Sequence, residues 1–123
     1  MNYSVKIEST SKELTAKERI ALKDTTGAIK LDDATKEGAV IIMPVFYGVL
    51  TIHNEKADPT EYNNYILVDE NGTKYVTGST SFWTAFCQIA EEMEGESEEW
   101  GVKVYRVPSK NYAGRDFLTC SII

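Results

Sequence analysis

The chain has 123 residues, of which 42% are hydrophobic and 26% charged, so it suits one globular domain and is too short for two. Its longest apolar run, GAVIIMPVFYGVL, is too short for a membrane helix, and the N-terminus lacks the apolar core of a signal peptide. We therefore predict a soluble cytoplasmic protein with no membrane partner. Two distant cysteines and a single histidine favour buried reduced thiols over a disulfide or a metal site.

The formal net charge of −6 is unevenly distributed along the chain. The segment EEMEGESEE, residues 91–99, carries six glutamates and no base, and the rest of the chain is formally neutral. Residues 101–115 carry four basic residues and no acid. Because binding depends on the local field of one face, this basic segment stays a candidate for contact with anions although the whole chain is acidic.

The N-terminal part gives weak signals. LTAKERIALK, residues 14–23, is weakly amphipathic and fits either a brief helix or a strand-like arm. DTTGAIKLDDATKEG, residues 24–38, predicts turn, short strand and turn. We predict that residues 1–35 form an extension that packs on a main domain formed by residues 36–123.

Strand signals dominate from residue 39. AVIIMPVFYGVLTI is rich in β-branched and aromatic residues and predicts one long strand, in which Pro44 and Gly48 indicate a bend with a bulge. After a polar loop, YILVDENGTKYVTG predicts a hairpin with a type I′ turn at Asn71-Gly72.

The period changes to that of a helix at residue 79. Ser79 or Ser81 caps the start and Gly95 marks the end. WGVKVYRV and RDFLTCSII then predict two strands joined by a loop, the second with Leu118, Cys120 and Ile122 on the core face and Phe117 exposed or at the rim. The helix carries an apolar stripe of Phe82, Ala85, Phe86, Ile89, Ala90 and Met93.

The resulting order of elements predicts the fold. Five strands with one α-helix between strands 3 and 4 is the order of the OB-fold, so we expect a mainly β chain that forms a five-stranded OB-fold barrel. An α+β meander with one helix remains the alternative.

The residues favour binding over catalysis. We find no nucleophile elbow, P-loop, dinucleotide fingerprint or metal-ligand spacing, so we expect no enzyme activity, no metal and no cofactor. Single-stranded nucleic acid needs cations along the phosphates and flat rings under the bases, and this chain interleaves the two. The candidate nucleic-acid-binding residues are Tyr65, Lys74, Tyr75, Lys103, Tyr105, Arg106, Lys110, Tyr112, Arg115 and Phe117.

Two stretches carry a resemblance to a known family. YILVDENGTKYVTGSTSFWTAF, with Thr77-Gly78-Ser79, and VKVYRVPSKNYAGRDFLTCSI, with Ser109-Lys110-Asn111, Gly114 and Phe117, resemble the small OB-fold single-stranded DNA-binding proteins of tailed bacteriophages. The resemblance implies a non-enzymatic, sequence-tolerant binder that coats DNA during phage replication or recombination in the host bacterial cytoplasm. Many single-strand binders recruit partners through an acidic C-terminal tail, whereas this chain ends on the apolar LTCSII.

Other functions remain open. Glu91–Glu99 is a candidate surface for replication or recombination proteins. A second hypothesis is an acidic protein-interaction module or inhibitor whose glutamates mimic the phosphates of DNA and bind a host protein. A third is an assembly protein whose strand edges pair with copies of itself, and a homodimer is compatible with any of these.

Overall fold

The structure is a computed structural model and describes residues 3–108 and 116–123. In chain order these residues form β1 (Tyr3–Thr10), α1 (Ala16–Lys23), β2 (Ile29–Lys30), α2 (Leu31–Ala34), a 3₁₀ turn (Thr35–Glu37), β3 (Val40–Ile42), β4 (Pro44–Asn54), β5 (Glu61–Asp69), β6 (Lys74–Thr77), α3 (Thr80–Met93), β7 (Val102–Pro108) and β8 (Asp116–Ile122).

The strands belong to two sheets. A five-stranded sheet has the order β1–β4–β5–β6–β2, and a three-stranded sheet has the order β3–β7–β8. The predicted mainly β character is confirmed. The predicted closed five-stranded barrel is wrong for the described residues, because their strands divide between two sheets. The long helix follows the sixth strand instead of the third, and two shorter helices precede it.

The chain groups into two compact units, each built from separated segments. The first comprises Met1–Ile29 and Pro44–Gly78, and the second comprises Lys30–Met43 and Ser79–Ile123. The predicted boundary after residue 35 does not coincide with this division. Residues of β1 pair with β4 in antiparallel register, from Tyr3 opposite Asn54 to Thr10 opposite Gly48, so the N-terminal segment supplies an edge strand of the larger sheet.

The core of the first unit lies on one face of its sheet. Leu14 and Leu22, from α1 and the residues before it, pack with Leu50, Ile66 and Val76 of the strands. The helix begins with a capping box, in which Thr15 Oγ1 accepts from the Glu18 N–H at 3.2 Å. The Glu18 carboxylate accepts in return from the Thr15 N–H at 3.0 Å, and this bond is the main reason that the pKa of Glu18 lies below its usual value.

The predicted long strand is two strands. It changes sheet at Met43, with β3 before it and β4 after it, because Pro44 has no N–H to continue a ladder. The predicted bulge is present as a register shift between Pro44 and Phe46. Gly48 serves a different purpose, since a Cβ there would lie 2.8 Å from the Ser9 carbonyl oxygen. Gly48 therefore permits the close approach of β1.

The hairpin of β5 and β6 is confirmed, but its turn type is not. Gly72 has φ +82°, while no described residue other than glycine has a positive φ, so Asn71 cannot occupy a type I′ turn. Instead the Gly72 N–H donates to the Asp69 carbonyl at 3.0 Å. The Asp69 side chain accepts from the N–H groups of Asn71 and Thr73, each at 2.9 Å, and so fixes a longer turn.

In the second unit α3 lies against β8 of the three-stranded sheet. The Ser79 hydroxyl caps the helix by accepting from the Phe82 N–H at 3.2 Å, as predicted. Phe82 and Phe86 are fully buried, and so are Val102 and Val104 of β7. The other edge of the apolar stripe, with Ala85 and Ile89, is only half-buried.

Candidate nucleic-acid interface

The three-stranded sheet has two unlike faces. Its residues alternate between them, and partners that lie opposite each other on neighbouring strands share a face. Val104 lies opposite Val40 and Cys120, on the buried face. The other face, called here the open face, consists of Ile41, Lys103, Tyr105, Val107, Phe117, Thr119 and Ser121.

No side chain of the open face is buried. The large apolar side chains of Ile41 and Phe117 are 53% and 41% exposed. Scattered exposed apolar residues are ordinary, but these two lie on one face of one sheet, Ile41 opposite Lys103 and Phe117 opposite Val107 of the central strand β7. The open face is therefore a mixed apolar and aromatic surface beside a cation.

Two rings stand close together on this surface. Tyr105 lies opposite Thr119, one pair away from Phe117, which is within the reach of aromatic side chains on adjacent strands. The hydroxyl groups of Tyr105 and Ser121 are hydrogen-bonded at 2.6 Å, and this bond orients the ring of Tyr105. No ion pair between described residues involves Lys103, which is exposed.

Arg106 lies on the opposite face. Its Nε donates to Thr35 Oγ1 at 3.0 Å, and its Nη2 donates to the carbonyl oxygen of Asp32. The hydroxyl of Thr35 donates in turn to the Leu31 carbonyl at 2.7 Å. The guanidinium thus joins β7 to the short helical segment before β3, and the structure does not bring Arg106 together with Lys103 and Tyr105.

Two further candidates belong to the first unit, where their side chains have other contacts. Tyr65 is only 7% exposed, so its ring has no free face for a base in this conformation. Lys74 Nζ donates to the carbonyl oxygens of Ala21, at 2.8 Å, and Asp24. These carbonyls lie at the C-terminal end of α1, where a cation complements the helix dipole. Lys74 is therefore a helix-capping residue.

Tyr75 is half-buried on the face of β6 that also carries Thr77. Burial raises the pKa of its hydroxyl, and the nearby Asp69 carboxylate adds to the shift, so the phenol stays neutral at physiological pH. Nothing in its contacts assigns it to the open face, which is formed by the other sheet.

Three candidates lie outside the described residues. Lys110, Tyr112 and Arg115 belong to residues 109–115, which join the end of β7 to the start of β8. Of the ten candidates, the structure brings Lys103, Tyr105 and Phe117 together on one face.

Sequence reasoning missed Ile41 and Val107 as neighbours of these three. Val107 shares the two-residue period of Lys103 and Tyr105, so the alternation of VKVYRV already placed it on their face. Ile41 had no such signal, because its position beside Lys103 follows from the pairing of β3 with β7 across more than 60 residues.

Other polar groups form no comparable site. His53 lies with Nδ1 3.4 Å from Glu61 and Nε2 3.6 Å from Glu55, on the surface of β4. Within residues 3–108 and 116–123, no three His, Cys, Asp or Glu side chains are grouped so that they could hold a metal ion. Cys87 and Cys120 are both free thiols.

Across the part of the chain that the structure describes, no helix is long and apolar enough to cross a bilayer. Comparisons of the chain with protein-family models, curated proteins and solved structures found no match.

Proposed function

We propose that the protein binds single-stranded DNA on the open face, without strong sequence preference. The observation that supports this most directly is the placement of Lys103, Tyr105 and Phe117 on one exposed face of a sheet. A flat surface with exposed rings and a cation suits unpaired bases, because every base has an aromatic face for stacking. The sequence resemblance to phage single-strand binders, which covers the same two strands, agrees with this proposal.

In this proposal the bases stack on Tyr105 and Phe117, with Ile41 and Val107 as apolar contacts around them. Lys103 lies near the phosphates. The remaining phosphate contacts come from Lys110 and Arg115, in the segment that joins the strand ends next to Phe117. Tyr112 of the same segment supplies a third ring.

The proposal is tested by fluorescence anisotropy with labelled oligo-dT, compared with a duplex of equal length at two salt concentrations. We expect the single strand to bind more tightly. Three basic contacts should give a dependence of log affinity on log salt with a slope of about −2, because each neutralised phosphate of a single strand contributes about −0.7. No binding at low salt would refute the function.

A matched pair of variants locates the surface. Phe117→Ala removes a ring that is 41% exposed, whereas Tyr3→Ala removes one that is 48% exposed on β1 of the first unit. We expect the first change to weaken oligo-dT binding by about five-fold or more, since a stacked base is worth about 1–3 kcal/mol. The second should leave it unchanged. The double change Lys110→Ala with Tyr112→Ala tests the connecting segment in the same assay.

A second candidate function rests on the glutamate run. All six of its glutamates, from Glu91 to Glu99, are exposed, and none forms an ion pair with another described residue. Such a surface fits an interaction module that imitates the phosphates of DNA. This second function predicts that the protein does not bind oligo-dT. It also predicts that binding to a basic host protein is lost when Glu96, Glu98 and Glu99 are changed to Gln together.

A further inference from the structure

Among the described residues, β7 pairs with one side of β8 and no strand pairs with its other side. Ile123 N–H donates to the Gly101 carbonyl at 3.0 Å, directly beyond the pair of Ile122 and Val102. In an antiparallel ladder, alternate residues of a strand bond to the same neighbour. The odd-numbered residues of β8 therefore bond to β7, and the backbone groups of Cys120 and Ile122 point away from it.

Exposure rises towards the end of this edge, because Leu118 and Cys120 are 4% and 7% exposed whereas Ile122 is 50% exposed. The hydroxyl of Ser81, in the first turn of α3, donates to the carbonyl oxygen of Leu118 at 2.8 Å. This bond agrees with the outward direction of the even-numbered residues and satisfies one edge carbonyl. No backbone hydrogen bond from another described element reaches Cys120 or Ile122.

Beyond Ser81 a groove separates the helix from the strand edge. It has a volume of about 390 Å³, within the range of sites that hold small ligands or a side chain with its backbone. Apolar residues form most of its lining, and two polar side chains of α3 complete it. The lining residues are Ala85, Gln88, Ile89, Glu92, Cys120 and Ile122.

We propose that this groove binds an extended peptide, which adds to the edge of β8 as a fourth strand. Its backbone pairs with Cys120 and Ile122, and one of its apolar side chains enters the groove beside Ala85 and Ile89. A lysine or arginine two residues away, on the same face of the peptide, meets the carboxylate of Glu92. Edge pairing supplies the affinity, and the groove with its acid supplies the specificity.

The charges around the groove favour this occupant over two others. Glu92, which lines the groove, and its chain neighbour Glu91 are both exposed, and their charges repel nucleic acid. A second copy of the chain would bring β8 itself to the edge, but Asp116–Ile122 contains no lysine or arginine for Glu92. A peptide that combines apolar and basic residues meets both the groove and the acid.

The test uses backbone amide NMR of the full chain with a defined peptide pool. The probe is acetyl-Thr-Lys-Thr-X-Thr-Lys-Thr-amide, where X is an equal mixture of Val, Ile, Leu and Phe, at up to millimolar concentration. Its symmetric sequence places a lysine near Glu92 whichever way the strand runs. One control pool has Glu in place of Lys, and another has N-methylated backbone amides.

We expect saturable shifts that are largest for residues 85–92 and 120–122. The Glu pool should bind about two- to five-fold more weakly, which is the usual effect of an exposed ion pair. The N-methylated pool should not bind. No saturable shift, or equal binding of the N-methylated pool, would overturn the proposal. So would self-association of the free protein that protects the edge amides, because a second copy would then occupy the site.

Two pairs of variants distinguish a loss of peptide binding in the groove from a general effect on the fold. Ala85→Trp fills the groove and should abolish peptide binding, whereas Thr84→Trp, at an exposed position outside the lining, should leave it intact. Glu92→Gln should weaken binding about two- to five-fold, and Glu98→Gln should not. Equal behaviour within either pair would contradict the assigned contacts. The oligo-dT affinity of these variants should be unchanged, so this proposal and the proposed function can fail separately.

Discussion

Lys103 and Arg106 both belong to β7, and their side chains lie on opposite faces of the sheet. We expect Arg106→Met to lower the free energy of unfolding, and Lys103→Met to reduce the salt dependence of DNA binding. Arg106 makes two charge-assisted hydrogen bonds, one half-buried to Thr35 and one exposed to the Asp32 carbonyl. A hydrogen bond to a charged group is worth about 1.5–3 kcal/mol when sheltered and less when exposed, so their joint loss should lower the free energy of unfolding by about 2 kcal/mol.

Lys103→Met should change the free energy of unfolding by less than about 0.5 kcal/mol, because the side chain is exposed and makes no ion pair with a described residue. Its effect should appear in DNA binding, where the slope of log affinity against log salt becomes shallower by about 0.7. Arg106→Met should leave that slope unchanged. The salt slope is the decisive readout, since it does not depend on the fraction of protein that is folded.

Both quantities are measured on the same preparations, by urea denaturation and by anisotropy of labelled oligo-dT. Arg106 would not have the structural role assigned to it if Arg106→Met kept full stability and reduced the salt slope as much as Lys103→Met does. That result would place the guanidinium on the DNA. If neither variant has a shallower slope of log affinity against log salt, β7 is not part of the proposed interface.

Three further changes test the fold and its titrating groups. Lys74→Met should lower the free energy of unfolding by about 1 kcal/mol through the lost cap on α1 and leave oligo-dT affinity unchanged; a weaker affinity at equal stability would return Lys74 to the binding set. Gly48→Ala should cost about 1–3 kcal/mol in urea denaturation, because its Cβ meets the Ser9 carbonyl, and a neutral result would contradict that close approach. Burial raises the pKa of the Cys120 thiol to about 11, with the neighbouring Cys87 as a smaller cause, so at pH 8 its alkylation should be about a hundred-fold slower than that of an exposed cysteine. The pKa of this thiol is higher in the folded than in the unfolded state. Its contribution to the free energy of unfolding is therefore complete below about pH 9 and is lost as the pH rises toward 11. Cys120→Val should remove that part of the pH dependence of stability.

The hairpin, the long helix and the last two strands could be predicted well from the sequence, whereas the first strand, Tyr3–Thr10, was not predicted. The helix of residues 80–93 has its cap at Ser79 and its end before Gly95, as the period and the terminal residues indicated. The alternation of the last strand correctly gave Leu118 and Cys120 as buried and Phe117 as exposed, but Ile122, which was also expected in the core, is 50% exposed. These features depend on residues within a few positions of each other.

Some signals were present and were not used. Thr15 and Glu18 have the spacing of a capping box, which identifies α1 as a helix where the weak amphipathic pattern left a strand-like arm open. Arg106 shares the two-residue period of Val102 and Val104, so its place on the buried side of β7 also followed from the sequence.

The arrangement of the sheets had no local signal. Whether β1 pairs with β4, and β3 with β7, depends on the free energy of contacts between residues some 40 to 60 positions apart. The same limit applies to Tyr65. Its sequence neighbours indicated only a strand, and the structure shows that its ring is buried. The two-residue period therefore shows which residues of one strand share a face, but the strands that pair beside it, and whether that face is covered, cannot be predicted from one sequence.

The two units also differ in when they can form during synthesis. The segments of the first unit are complete once Gly78 has been made. The second unit begins with Lys30–Met43, but the partners of that segment lie in Ser79–Ile123. During translation β3, with the apolar residues Val40 and Ile42, has no partner strand until β7 has left the ribosome. This nascent strand is the part of the chain that a chaperone would protect, and a synthesis pause before residue 102 would prolong its exposure.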